Sequence, residues 1–551
     1  MSLSYERLAD SSNEDEEEVN VMHLRNVLSH RRFDKDGGND GEVTFTVEDA
    51  VEHIGFGKFQ IFLTLIMGTF SFSDACEMML LAVLSPVLRC HWQLSSFQVA
   101  CITTVVFVGM LIGSPVFGTA SDRFGRRPIL ILVAVWICYY GYMTALSPTF
   151  FWLLFLRFLV GFGIGGAPQG FTALSEFLPS KQRAKLLGSF QVFWALGTCF
   201  EVFMAYLIIP SLGWRYLVGI SAVPLTISLL SFLNTSFASM NESMVEHYVP
   251  ESVRYNIAAG KQEKALETLE KIARTNGIQM PPGELVKSKE VPRGKIQDLF
   301  TSDYLRTTLQ LWYLWFSAAF GYYGLVLISS EILEFDSVCG AMEKWNQDSL
   351  SEDVCYCQLL TKSDYLTLIF TTLGELLAIP INMILPDVIG RTRLLCLYFV
   401  VSAIGNGLIL VCSTRLVLTI TVFAVRACTS GIFNIVYLYT VEVYPTTVRA
   451  LGLGSGSAIA RVGAMITPFV AQVLLTYSIR SAMILYAGVC LLASILSITL
   501  PIETKGRSIQ EFERQSFTSE SKKLQICIYP YMGERGVSAM FTYGHTIHCI
   551  G

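Results

Sequence analysis

The chain has 551 residues, 52% of them hydrophobic and only 15% charged, with a mean hydropathy of +0.49. That is too apolar for a soluble protein of this length and puts the chain in the membrane class before any motif is read. The net charge of −5, from 45 acidic against 40 basic side chains, arises partly from an acidic run at Asn13–Glu18 and argues against a nucleic-acid partner.

Residues 1–57 read as an acidic cytoplasmic tail that ends in a short amphipathic helix, with Thr46 as its cap and Asp49 three positions on. The first fifty residues contain no apolar signal-peptide core, so the first span is expected to act as its own insertion signal. Twelve apolar stretches of roughly twenty residues follow. Six lie near 58–88, 98–118, 128–147, 150–177, 186–208 and 216–233. The other six lie near 307–330, 364–386, 394–413, 416–440, 452–477 and 481–500. The expected division is a first half at 58–249, a cytoplasmic linker at 250–305, a second half at 306–501 and a tail at 502–551. Loops rich in Arg and Lys alternate with poor ones, which places both termini in the cytoplasm. The linker stretch KQEKALETLEKIARTNG has Glu267 with Lys271 and Glu270 with Arg274 at helical spacing, and reads as a solvated connector. Polar residues at 231–249 interrupt the sixth span, and 522–551 lack helical periodicity.

Half of the chain repeats the other half. GTASDRFGRR, from Gly118 to Arg127, and DVIGRT, from Asp387 to Thr392, each fall between two apolar stretches, with their aspartates 265 residues apart. Glu176, Pro179, Arg183 and Ala184 recur with the same offsets as Glu442, Pro445, Arg449 and Ala450. PESVRY closes one half and PIETKGR the other. An ordered set at this period signals duplication of a helical membrane unit. Asp122, Arg126, Arg127, Asp387 and Arg391, with Gly118 permitting close approach, read as a gate in which Asp122 bonds a helix N-terminus of the other half and the arginines reach Glu176. The alternative is plain positive-inside anchoring.

Charges inside spans are costly and face a cavity or a partner. Here they are Asp74 and Glu77, three residues apart, with Arg157, Glu201, Glu375, Arg426 and Arg461. For each, a buried ion pair and a role in substrate binding or proton coupling both stand. Trp194, Tyr322 and Tyr323 are candidates to stack on an organic ion, against ordinary packing. Glycines at four-residue spacing in RFLVGFGIGGAPQG predict close helix packing, and Pro168 a kink. Cys90, Cys339, Cys355 and Cys357 fall in non-cytoplasmic loops and are disulfide candidates with open connectivity. No metal knuckle, cofactor motif or catalytic constellation appears.

GTASDRFGRR resembles the loop between helices two and three of the major facilitator superfamily. RFLVGFGIGGAP, EFLP with RA, PESVR and PIETKG resemble its sugar porter and organic ion transporter branches. TVEDAVEHIGFGKFQ, DACEMM, WFSAAFGYYGLVL, EVYPTTVRALGLGSG and ARVGAMITPF resemble its synaptic-vesicle-two-related group, the SVOP-like branch above all, over residues 44–508. The resemblance implies an all-α membrane protein of about twelve helices in two six-helix halves, working by alternating access. It implies a transporter of a small organic solute whose identity it leaves open; the reading is a secondary transporter of a small organic ion, with proton coupling an open alternative, expected as a monomer in a vesicle or plasma membrane and without a cofactor. Arg157 would be the fourth-helix arginine linked to proton coupling in some relatives. The acidic excess in the cavity leans toward a cation, Arg461 toward an anion, and a transporter fold retained as a non-transporting vesicle protein is the third reading.

Overall fold

The computed structural model describes residues 44–237, 249–286, 294–333, 360–411 and 414–505, with backbone alone at 180–187, 231–237, 333 and 446. It is helical almost throughout, because a chain in hydrocarbon must satisfy its N–H and C=O groups within each segment. A short strand, β1 (Thr44–Phe45), leads into α1 (Val47–Ile54). The expected cap is present: the Thr46 hydroxyl accepts from the Asp49 N–H at 3.3 Å, and the Asp49 carboxylate accepts from the Thr46 N–H at 3.0 Å.

The first half then runs α2 (Lys58–Trp92), α3 (Ser96–Phe124), α4 (Arg126–Ala145), α5 (Phe150–Ile164) with α6 (Pro168–Ser175), α7 (Ser180–Leu212), and α8 (Trp214–Ser221) with α9 (Val223–Phe237). The fourth span breaks before Pro168, as the sequence predicts, because proline has no N–H to give the helix. The sixth breaks at Ala222, two residues before Pro224, and continues as helix to Phe237 despite its polar end. The second half runs α12 (Leu305–Leu333), α13 (Lys362–Ile389), α14 (Arg391–Leu408), α15 (Arg415–Val443), α16 (Thr446–Pro468) and α17 (Leu475–Tyr477), and α18 (Ile479–Ile498). Between α16 and α17, one π-helical turn at Phe469–Leu474 follows Pro468, whose ring disturbs the α-helical ladder. Ten spans are long and apolar enough to cross a membrane on those grounds alone, and the broken sixth and the eighteen-residue α14 complete two sets of six.

Glycine sets the closest helix approach. A Cβ on Gly161 of α5 would sit 2.1 Å from the Val106 carbonyl oxygen of α3, and one on Gly113 of α3 would sit 2.0 Å from that of Phe162. The spacing predicted this packing.

The linker is not a solvated connector. Between the halves lie α10 (Val253–Ala258), α11 (Gln262–Asn276), β2 (Glu284–Leu285) and a 3₁₀ turn at Ile296–Phe300. Ala265, Leu269, Ile272 and Ala273 form a stripe on α11 and are buried. At its end, Asn276 accepts from the Phe59 N–H at 3.0 Å and donates to the Gln60 side chain at 2.9 Å. β2 pairs in parallel with β1, so the segment before the first span and the linker form one small layer beneath the first half. The two salt bridges expected on α11, at 2.9 and 3.4 Å, lie on its outer face.

Candidate functional site

The charged side chains within spans divide into paired and unpaired sets. Glu77 of α2 meets Arg157 of α5 at 2.7 Å, and Arg157 is wholly buried. Glu375 of α13 meets Arg426 of α15 at 2.7 Å, both buried. The Tyr322 hydroxyl of α12 donates to Glu375 at 3.0 Å and accepts from the Trp194 N–H of α7 at 2.9 Å. That bond crosses between halves, as does the contact of Arg426 with the Met79 sulfur at 3.4 Å. Removing a charge from water is affordable only with such partners, so the ion-pair reading holds for these four groups. Glu201 is buried and accepts from the Ser221 hydroxyl at 2.7 Å, with its second oxygen unbonded.

Asp74 and Arg461 are different. Among the described residues neither has a salt-bridge partner within 4.0 Å, and both side chains are half-buried. Asp74 Oδ1 and Arg461 Nε have no hydrogen-bond partner, while Arg461 Nη1 holds the Ser457 hydroxyl at 3.0 Å. Asp74 on α2 and Arg461 on α16 attract one another electrostatically, and Tyr323 of α12 interacts with both. Asp74, Ser73 and Glu77 also line a small pocket of about 10 Å³, room for one water, that reaches to Ser221. Tyr323 packs at a tilt against Phe107 of α3, with ring centres 4.8 Å apart, and Phe171 of α6 meets Tyr437 of α15 at 5.5 Å. Both ring pairs join one half to the other.

On the face carrying α10 and α11, the repeated motifs build two matching clusters. Arg126 meets Asp122 at 2.9 Å and Glu176 at 3.4 Å, and its N–H donates to Glu251 at 2.7 Å. Arg391 meets Asp387 at 3.0 Å, holds Glu442 with two bonds at 3.0 and 3.1 Å, and gives its N–H to Glu503 at 2.9 Å. The expectation that Asp122 reaches a helix terminus of the other half is corrected: its partner is Arg126, one turn away in its own half. A helix N-terminus does take a carboxylate here, but the carboxylate is Glu251 or Glu503, from the residues that close each half. Gly125 and Gly390 make the turns, with φ of +104° and +99°. A Cβ there would lie 2.4 and 2.9 Å from those carboxylates, so both backbone and space require glycine. Burial alone would raise the Glu503 carboxyl. Bonds from the Thr392 hydroxyl and the N–H groups of Arg391, Thr392 and Lys505 outweigh it and hold Glu503 below the ordinary glutamate value.

On the opposite face, Arg89 at the end of α2 holds Glu331 at the end of α12 with two bonds of 2.8 and 2.7 Å. Sequence reading missed this pair. Its signal is that opposite charges occupy the last turns of the first helix of each half.

The remaining candidates are placed as follows. Arg449 donates to the Tyr444 carbonyl at 3.3 Å, Gly118 lies near the Gln169 side chain, and Arg127 packs at the start of α4 beside Arg126. The Arg183 side chain lies outside the described residues. Cys90 is disulfide-bonded. Cys339, Cys355 and Cys357 lie outside the described residues. Among the described residues no group of three or more His, Cys, Asp or Glu side chains is arranged to hold a metal.

Two pseudo-equivalent six-helix halves, each with a buried arginine–glutamate pair among its helices, define a multi-pass membrane carrier. The chain belongs to the Major Facilitator Superfamily, whose family model matches residues 66–337 and 361–546. It is 45% identical to the synaptic vesicle 2-related protein of Pongo abelii over 93% of this chain and 92% of that one. It is 42% identical to SVOPL of Mus musculus over 85% and 94%. Among solved structures it resembles the partially occluded inward-open xylose transporter XylE from E. coli, with a TM-score of 0.60 and 18% identity over 82% of this chain and 99% of the other, a likeness of fold.

Proposed function

We propose that this protein is a secondary active transporter of a small organic ion, working by alternating access. The observation that supports it best is the unmatched pair Asp74 and Arg461, one from each half. Arg157 and Arg426 each have a carboxylate partner, whereas Asp74 Oδ1 and Arg461 Nε are buried among the described residues with no hydrogen-bond partner. Asp74 is the cation-binding group in the leading reading; Glu77, which lines the adjacent water-sized pocket, and Glu201, bonded to Ser221 of the same pocket, are the groups that would pass a proton, with Arg157 holding Glu77. Arg461 favours an organic anion as the second reading. Both termini are cytoplasmic in this proposal, the protein is a monomer, and the names of its relatives favour a vesicle membrane.

Uptake into proteoliposomes, with and without a pH gradient, tests the reading, using labelled organic cations and monocarboxylates. Saturable uptake that Asp74→Asn abolishes is the expected result. Well-folded protein that moves no member of the panel would favour a transporter fold kept for vesicle binding or trafficking.

A further inference from the structure

The two unmatched charges have opposite sign and belong to opposite halves. A simple cation bound at Asp74 would sit in the field of Arg461 and leave that guanidinium without a counter-ion. A simple anion bound at Arg461 would leave the Asp74 carboxylate in the same position. Away from bulk water each stranded charge is expensive. A solute carrying both signs removes both penalties at once.

Contacts between the halves flank the two groups. By helix register, Asp74 and Arg461 lie between the Phe107–Tyr323 ring pair toward one face and the Phe171–Tyr437 pair toward the other. Thr104 of α3 also donates to the Met465 carbonyl, one turn beyond Arg461 on α16, at 3.2 Å, which draws the halves together there. The paired groups do not compete for such a solute, since Glu77, Arg157, Glu375 and Arg426 are committed to one another.

Resting on the reading above, we propose that the transported solute is a small zwitterion of the amino-acid or betaine type, with its cationic group on Asp74 and its carboxylate on Arg461. Such a ligand bridges the halves, so its binding energy goes directly into drawing them together.

The test uses the purified full chain in nanodiscs, with binding read by calorimetry and by thermal shift. The probes are the ω-amino acids from glycine to 6-aminohexanoate, their N-trimethyl betaines, and for each the methyl ester, which is a cation only, and the N-acetyl acid, which is an anion only. At least one zwitterion is expected to bind roughly 10- to 100-fold more tightly than its two blocked forms. Asp74→Asn should erase the advantage over the N-acetyl acid, and Arg461→Gln the advantage over the ester. Equal binding of a blocked form, or no binding by any zwitterion of the panel, overturns the proposal. So does loss of thermal stability in both variants without charge-selective binding, the mark of a merely structural pair. Uptake of the same probes separates the two readings: a zwitterion bound but not moved sinks transport, and a single-charge ion moved while no zwitterion binds sinks only this inference.

Discussion

Arg89 and Glu331 offer the sharpest test of how the two halves are held. Their side chains are 12% and 6% exposed and share two short charge-assisted bonds. Arg89→Gln strands the Glu331 carboxylate in that setting. Breaking a fully buried pair costs about 3–5 kcal/mol, and the residual exposure here reduces that to about 2–3 kcal/mol. In a conformation with this face open both groups are solvated and the cost disappears. The closed state therefore loses a factor of roughly 30 to 150 against the open one. A cysteine at Ile328, which is 2% exposed in the packing beneath the pair, reports the change. Labelling of Ile328→Cys by an impermeant maleimide, added from the face opposite α10 and α11 and read by peptide mass spectrometry, should accelerate about 30-fold or more in Arg89→Gln and in Glu331→Gln. The double variant leaves no stranded charge and should label more slowly than either single one. Unchanged labelling in both single variants would refute the idea that this pair closes the face.

Two further outcomes are expected. Gly161→Ala forces α3 and α5 apart and should lower thermal stability by about 1–3 kcal/mol, whereas Gly188→Ala, with open space around its Cβ, should change little; equal effects would contradict the packing. Because the folded value of Glu503 lies below its unfolded value near 4.3, its contribution is present at neutral pH and lost as pH falls through the folded value. Glu503→Gln should therefore melt below the parent at pH 7, with a gap that shrinks below about pH 4, and a gap independent of pH would show that the carboxylate charge is irrelevant.

Much of this was legible in the residues. Apolar stretches gave the spans because lipid leaves a chain few other forms, and the repeated aspartate, glycine and arginine gave the duplication. What the arginines touch was not legible. Arg157 reaches a glutamate on the first helix of its half, while its counterpart Arg426 reaches one on the second helix of its own, so the repeat of the arginine does not carry its partner with it. Asp122 went astray for a related reason: a carboxylate one turn before an arginine is captured locally before it can reach across. The linker was misread because its charged pairs are conspicuous, whereas the stripe of Ala265, Leu269, Ile272 and Ala273 behind them is short and weakly apolar.

The carboxylates of Glu251 and Glu503 have a consequence for how the protein is made. Each lies just past the last helix of a half and ties that end back to the third helix of the same half, through Arg126 or Arg391. Each half is thus complete only when its final residues emerge, and needs nothing from the other to be so. During synthesis the first can settle in the bilayer while the second is still being translated. A gene cut within the linker should on this view yield two polypeptides that fold separately and find each other in the membrane.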